Sequence, residues 1–401
     1  MNEATGFGPL DGLKVLDIAT IIAGPMVATL MADFGADVTK LELPGVGDGL
    51  RAFPPFHQGK PLWWKATNRG KRFGTLDLRN AAGKALFIEH VKRNDVLIEN
   101  FRPGTLESWG LGWDALHAIN PQLVMLRISG YGQTGPYRDR PGFGLIGEAM
   151  GGLRHLSGEP KRPPVRVGVS IGDSLAALHG VIGVLLALRH RDQQGGVGQV
   201  IDVALYEAVF NMMESLLPEY SVFQEIRQPA GSSLPGITPS NAYPCADGKY
   251  ALIAGNGDSI FKRLMAVIGR QDLADAPEYA RNDGRARAAD LIDGAIEAWT
   301  RRHSLEDVLQ SLHNARIPAG RVYDIADICD DPHYQARNML LNSQLDDGTP
   351  VKLPGIVPKL STTPGTVRRS APKLGQDTTD ILTELGIDAR TLEDWRQRGI
   401  V

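Results

Sequence analysis

For about its first 200 residues the sequence alternates short apolar runs with stretches of helical period. Lys14–Ala19 reads as a strand and Gly24–Phe34 as the helix that follows it. Asp37–Leu43, Asp95–Glu99, Leu123–Ser129 and Gln199–Val203 repeat the strand pattern. Ala81–Arg93, Asp114–Ile119, the run after Asp173 and Leu205–Gln224 read as helices. A strand covered on both faces is a short apolar run, whereas a half-buried helix repeats about every 3.6 residues. The alternation therefore predicts an α/β fold, a parallel sheet with helices over it.

The pattern breaks near residue 228. Gln228–Pro239 is rich in Pro, Gly, Ser and Thr and reads as a linker. A strand at Tyr250–Ala254 and helices near 259–268, 285–301 and 304–314 then predict a smaller α+β unit. Past about residue 330, prolines at 332, 354, 358, 364 and 372 mark loops before a final helix from about Thr378. The expected divisions are 1–227, 228–325 and 326–401.

Composition narrows the partners. A net charge of −3 argues against nucleic acid, whose binding domains are usually strongly basic. Cys245 and Cys329 show neither a disulfide framework nor metal-ligand spacing, which points to a reducing, cytoplasmic setting. The start, Met1-Asn-Glu-Ala-Thr-Gly, has no positive-then-apolar signal pattern. The longest apolar run, Leu175–Leu188, is too short to cross a bilayer and reads as a buried helix, so no membrane is expected.

Gly142-Phe-Gly-Leu-Ile-Gly147 matches the dinucleotide pattern G-x-G-x-x-G, but no strand leads directly into it. The first β–α turn, Ile22-Ala-Gly-Pro25, lacks the pattern, and Gly45-Val-Gly-Asp-Gly49 only approaches it. Nicotinamide and flavin binding are therefore not expected. Neither G-x-S-x-G nor H-E-x-x-H occurs, so neither a serine hydrolase nor a zinc site is signalled, and no metal is expected. Cations gather at Lys65, Arg69, Lys71, Arg72 and Arg79 beside Trp63 and Trp64, and Arg102 and Arg140 lie near other strand ends. Open α/β sheets bind ligands at the carboxyl ends of their strands, so this set suits a small anionic nucleotide.

Asp173 follows Gly172 at the start of the Leu175–Leu188 run. It can be a helix N-cap, accepting the first unpaired N–H groups. The other reading, second to the cap on these residues alone, is a carboxylate nucleophile, kept anionic by the helix dipole and reachable because Gly172 lacks a side chain.

Ordered blocks through the chain decide between these. They are Leu10–Asp17, Ala23–Pro25, Phe34–Glu42, Asn68–Arg72 with Leu76–Leu78, Asp95–Gly104, Gly130–Pro136, Gly172-Asp173, Asn314–Gly320, Asp331–His333 and Ala371–Gly375. As a set they resemble the CaiB/BaiF family, the class III (formyl-CoA-transferase-like) coenzyme A transferases. The resemblance implies a Rossmann-like large domain rejoined by the C-terminal segment, a small α+β domain, and an interlocked homodimer. A heterodimer of related chains is the variant of that arrangement. It implies that Asp173 is the nucleophile, passing through an aspartyl anhydride and an aspartyl-CoA thioester. Coenzyme A then belongs to substrate and product, with no tightly bound cofactor. The matching CoA contacts are Ile22, Ala23, Arg79, Asn100, Phe101 and Arg102, with Pro141 and Phe143 in the segment beside the pantetheine and Arg140, the cation next to it, counted as a further contact.

The chain departs from formyl-CoA transferases at Ile22 and Leu43, which are apolar where those enzymes have glutamine and arginine. It also lacks their four-glycine loop, having Leu234–Asn241 there. Formate and oxalate are thus poor expectations, and a larger acid accepting CoA from an acyl-CoA such as succinyl-CoA is expected. Two rivals share the fold: an α-methylacyl-CoA racemase and an inactive CoA-binding subunit of a hetero-oligomer. Tyr137–Gly147 contains no histidine where the racemases carry one.

Overall fold

The computed structural model describes residues 8–401. The chain divides into two compact units. The larger takes residues up to 154, 167–224 and 336–401; the smaller takes 155–166 and 225–335. The smaller unit is therefore built from two segments: it reaches ten residues beyond the expected boundary at 325 and also claims 155–166.

The larger unit starts with β1 (Lys14–Asp17), α1 (Ala23–Asp33), β2 (Asp37–Glu42), β3 (Arg72–Thr75), α2 (Ala81–Arg93), β4 (Val96–Glu99) and β5 (Val124–Ser129). It continues with α3 (Gly144–Met150), α4 (Ile171–Gln193), β6 (Val200–Ala204), α5 (Leu205–Phe210) and α6 (Leu216–Phe223). The six strands form one sheet in the order β3-β2-β1-β4-β5-β6, and every pairing is parallel. The chain begins in the middle, builds outward one way, then returns to build the other way. That reversal between β1 and β4 opens a crevice at the strands' carboxyl ends.

Successive side chains of a strand point to opposite faces, so the apolar runs feed two cores. Val15, Val38, Ile98, Val124 and Leu126 meet α1 and α4 on one face. Leu16, Leu41, Leu97 and Met125 meet α2 on the other. Gly180 makes the first layer thin: a methyl group there would lie 3.0 Å from both Val27 and Leu126.

Three expectations fail here. The helix after Asp173 begins at Ile171, with Ser170 at its N-cap, so Asp173 is its third residue and not the cap. Nor is α4 buried all round. Ala176, Ala177, Gly180, Val184, Ala187 and Leu188 face the core, while Leu178, Ile182, Leu185 and Leu186 are exposed. The 205–224 helix is also split, at Asn211–Ser215, where Glu214 has φ 47°.

In the smaller unit, β7 (Ser240–Pro244), β8 (Tyr250–Ala254) and β9 (Ala319–Arg321) form an antiparallel sheet with β8 in the centre. Alternate residues Ala251 and Ile253 face α7 (Asp258–Val267), α8 (Ala289–Thr300) and α9 (Leu305–Asn314). The Arg285 guanidinium, fully buried, ties this unit's loops together through Thr238 O, Tyr279 O, Asn256 O and Asp258.

The chain re-enters the larger unit with a hairpin, β10 (Leu340–Gln344) and β11 (Pro350–Pro354), which the proline count had read as loop. Then α10 (Thr378–Glu384) and α11 (Ala389–Gln397) bring Leu382, Leu392, Ile400 and Val401 into the second core. Fully burying such side chains stabilises by roughly 2 kcal/mol each.

Candidate active site

The turn between β1 and α1, Ile18–Ile22, is fixed from three sides. Thr20 and Asn100 exchange two hydrogen bonds of 2.7 Å, tying it to the loop after β4. The Ile21 N–H donates to Asp48 Oδ1 at 2.8 Å, tying it to the loop after β2. From beneath, the Lys40 ammonium donates to the Ala19 carbonyl. Ile21 has φ 69°, a left-handed conformation that β-branched residues avoid at a cost of about 1–3 kcal/mol.

Beneath the turn lies a buried charge network. Lys40 faces Asp48 at 3.2 Å and Asp17 at 3.6 Å, and Lys71 donates to Asp17, Pro25 O and Asn68. Burial pushes the Lys40 ammonium down, but the carboxylates of Asp17, Asp48 and Glu42 together outweigh it and hold it above its ordinary value. At Lys71 burial wins and lowers the group to about 8. Burial opposes ionisation of Asp48, yet Lys40 and the Leu50 and Ile21 N–H groups leave it below the ordinary carboxylate range.

Above this network, at the carboxyl ends of β1 to β3, is a cavity of about 280 Å³. Ala19, Thr20, Leu43, Asp48, Leu78, Arg79, Phe101 and Trp109 are among its lining residues. Phe101 and Trp109 meet edge to face at 5.5 Å. Aromatic walls with one cation at the mouth suit a flat heterocycle carrying phosphate.

Asp173 stands at the same edge of the sheet. The α4 helix leads into β6, which is parallel to β5, so its first turn lies at the carboxyl ends of the strands. A carboxylate in a first turn faces the positive end of the helix dipole. It rests against α3: a side chain at Gly144 would begin 2.1 Å from Asp173 Oδ2. Gly172 packs on the same helix, its missing Cβ 3.0 Å from Gly144 O and 3.2 Å from Glu148 Cγ. The space that glycine was expected to leave open is thus filled by α3. Glu148 is fully buried and takes Arg154 Nε at 2.9 Å on Oε2.

The apparent dinucleotide fingerprint now has a different cause. Gly142 packs on Gly130, Gly144 on Asp173, and Gly147 on Leu205. Each answers a close approach by a separate segment, and none turns a strand into a helix.

The family model for CoA-transferase family III matches residues 10–378. This chain belongs to that family. It is 46% identical over 378 residues to the succinyl-CoA–D-citramalate CoA-transferase of Chloroflexus aurantiacus, covering 94% of each chain. It is 43% identical to the beta subunit of that organism's succinyl-CoA–L-malate CoA-transferase, covering 100% of both. A solved CaiB/BaiF family protein from Brucella suis is 34% identical with a TM-score of 0.82, covering 94% of this chain and 99% of that one.

In this CoA-transferase the expected contact residues fall into four groups. Arg79 and Phe101 line the cavity, and Arg79 is held at its mouth by Asp77 at 2.8 Å. Asn100, Ile22 and Ala23 build the turn beside it; Ile22 and Ala23 are buried at the head of α1. Arg102 is exposed and does not line the cavity. Arg140, stacked 3.6 Å from the Tyr137 ring centre, and exposed Phe143 lie in the segment leading into α3.

The basic cluster needs a correction. Lys65 is bound to Asp346, Arg69 to Asp33, and Lys71 to Asp17, all buried cations committed to holding the fold. Trp64 is likewise a core residue, between Phe73 and the Arg51 guanidinium. The roles of Asp48 and Gly144 escaped the sequence reading, which met Gly144 only as the second glycine of the apparent fingerprint. The only sign of Asp48 was its place between Gly47 and Gly49, inside the near-miss glycine pattern.

Proposed function

We propose that this enzyme moves coenzyme A from succinyl-CoA to a hydroxy dicarboxylic acid, with Asp173 as the covalent nucleophile. The observation that carries this is the seat of the Asp173 carboxylate. It lies in the first turn of α4, against the side-chain-free Gly144, at the sheet edge that holds the cavity. The substrates rest on the relatives, named for succinyl-CoA with citramalate or with malate.

The cavity takes the nucleotide half of CoA, with Phe101 and Arg79 in contact and Asn100, Ile22 and Ala23 shaping the wall. Arg140 and Phe143 flank the pantetheine arm. Asp173 attacks the thioester carbonyl; the C–S bond breaks and the CoA thiolate leaves, giving a mixed anhydride. The thiolate attacks the aspartyl carbonyl of that anhydride and releases succinate, leaving an aspartyl-CoA thioester. The acceptor's carboxylate attacks this thioester, expels the thiolate and forms a second anhydride. The thiolate then attacks the acceptor's carbonyl, giving the new acyl-CoA and free Asp173. No proton is gained or lost overall, and the covalent steps divide one difficult exchange.

A second copy of the chain covers the exposed apolar side of α4, whose Leu178, Ile182, Leu185 and Leu186 form an apolar row rare on monomers. The enzyme works in the cytoplasm. Asp173→Ala and Asp173→Asn are expected to lose CoA transfer while remaining folded. Incubation with succinyl-CoA and then hydroxylamine should mark Asp173 by mass. Transfer at the normal rate by Asp173→Ala removes the assignment. Mass measurement in solution should give twice the chain's 43.4 kDa; co-purification with a related chain, and inactivity without it, is the alternative outcome.

A further inference from the structure

Asp48 is almost wholly buried, yet it lines the cavity, with its Oδ2 facing the Lys40 ammonium at 3.2 Å. Its Oδ1 accepts two backbone N–H groups, Ile21 at 2.8 Å and Leu50 at 2.9 Å. One of these caps the short helical turn Gly49–Ala52 that Asp48 itself begins. The other reaches across to the only residue of the β1–α1 turn with a positive φ. Gly49 completes the fit, because a side chain there would begin 2.7 Å from Ile21 Cδ1.

A β-branched residue does not stay left-handed unless its surroundings enforce it. Thr20 and Ala19 are held through Asn100 and Lys40, but at Ile21 itself the enforcing bond is the one to Asp48. Released, Ile21 relaxes to a negative φ, and the chain on either side must turn with it. On one side are Ala19 and Thr20, which line the cavity; on the other are Ile22 and Ala23 at the head of α1. We propose that Asp48 is a positioning residue for CoA binding, acting by holding Ile21 in its left-handed conformation so that the β1–α1 turn forms the cavity wall.

The inference rests on the cavity being the CoA site. It places no demand on the chemistry at Asp173, which is carried by a different helix.

The test is a double-substitution cycle on the full-length enzyme, read as CoA affinity by calorimetry and as KM and kcat with succinyl-CoA. In the native background Asp48→Ala should weaken CoA binding about tenfold, the scale of a released left-handed residue. KM should rise in step, with kcat at saturation within about twofold. In the Ile21→Gly background the same Asp48→Ala change should cost no more than about twofold, because glycine takes a positive φ freely. A penalty of equal size in both backgrounds, or none in either, overturns the proposal. Should Asp48→Ala not fold, Asp48→Asn keeps an oxygen for both N–H groups and removes the charge facing Lys40. A small penalty from it supports the backbone role, and a full tenfold loss assigns the effect to charge and overturns that role. Failure of the unaltered enzyme to bind CoA refutes the cavity assignment instead, which separates the two.

Discussion

At Asp173 a single neighbouring atom decides how much room the carboxylate has. A methyl group on residue 144 would overlap its Oδ2, so Gly144→Ala must turn that carboxylate away or push α3 aside. A displacement of about 1 Å commonly costs on the order of 100-fold in rate. We expect kcat to fall by at least about that factor, with the circular dichroism spectrum and melting temperature little changed. An active Gly144→Ala enzyme removes the steric account. An acid after a glycine at a helix start drew notice to Asp173 along one dimension, and only its place among the ordered family blocks gave it the nucleophile's part. It could not mark Gly144, whose cause is the crossing of two helices 29 residues apart. Nor could it tell that Lys65, Arg69 and Lys71 were already paired, since Asp346, Asp33 and Asp17 are distant in the chain.

Among the elements, the strands were the most legible, because burial on both faces writes an unbroken apolar run. Helix ends were less so: α4 starts four residues before its apolar run, on Ile171-Gly-Asp-Ser. The packing of α2 carries its own prediction. His90, buried in the last turn of that helix, has its imidazole lowered to about 4 from 6.5. Burial is the main cause; the positive charges of Arg72 and Arg93 add to it and Glu384 opposes it. The fold therefore favours the neutral ring. Above pH 6.5 neither state holds the proton; as pH falls from 6.5 toward 4 the unfolded chain gains it first, and stability declines. The loss is on the order of 3 kcal/mol across that window. Urea midpoints measured at about pH 7.5 and pH 5 should differ, and His90→Leu should shrink the difference. A pH difference untouched by His90→Leu means that other groups carry it.

For the whole molecule, the open question is what lies on the outer side of α4. A helix apolar all round belongs inside something, and this one has only its inner side covered. With a second copy proposed as its cover, the double variant Ile182→Lys, Leu186→Lys should have a smaller solution mass than the unaltered enzyme in light scattering. An unchanged mass removes α4 as the proposed interface. The sequence pattern counted α4 as core because periodicity reports apolar character and says nothing of which faces the rest of the chain covers.

The edge of the main sheet is closed by residues made very late. The Phe73 N–H donates to Asp377, and the Thr75 N–H to Thr378 Oγ1, links that span 304 and 303 positions. During synthesis at roughly 5–20 residues per second, strand β3 is complete long before those partners exist. For some tens of seconds the nascent N-terminal half carries an unfinished flank, with the floor for Leu382 and Leu392 bare. Cellular yield of this enzyme should accordingly respond to chaperone supply and to the pace of translation.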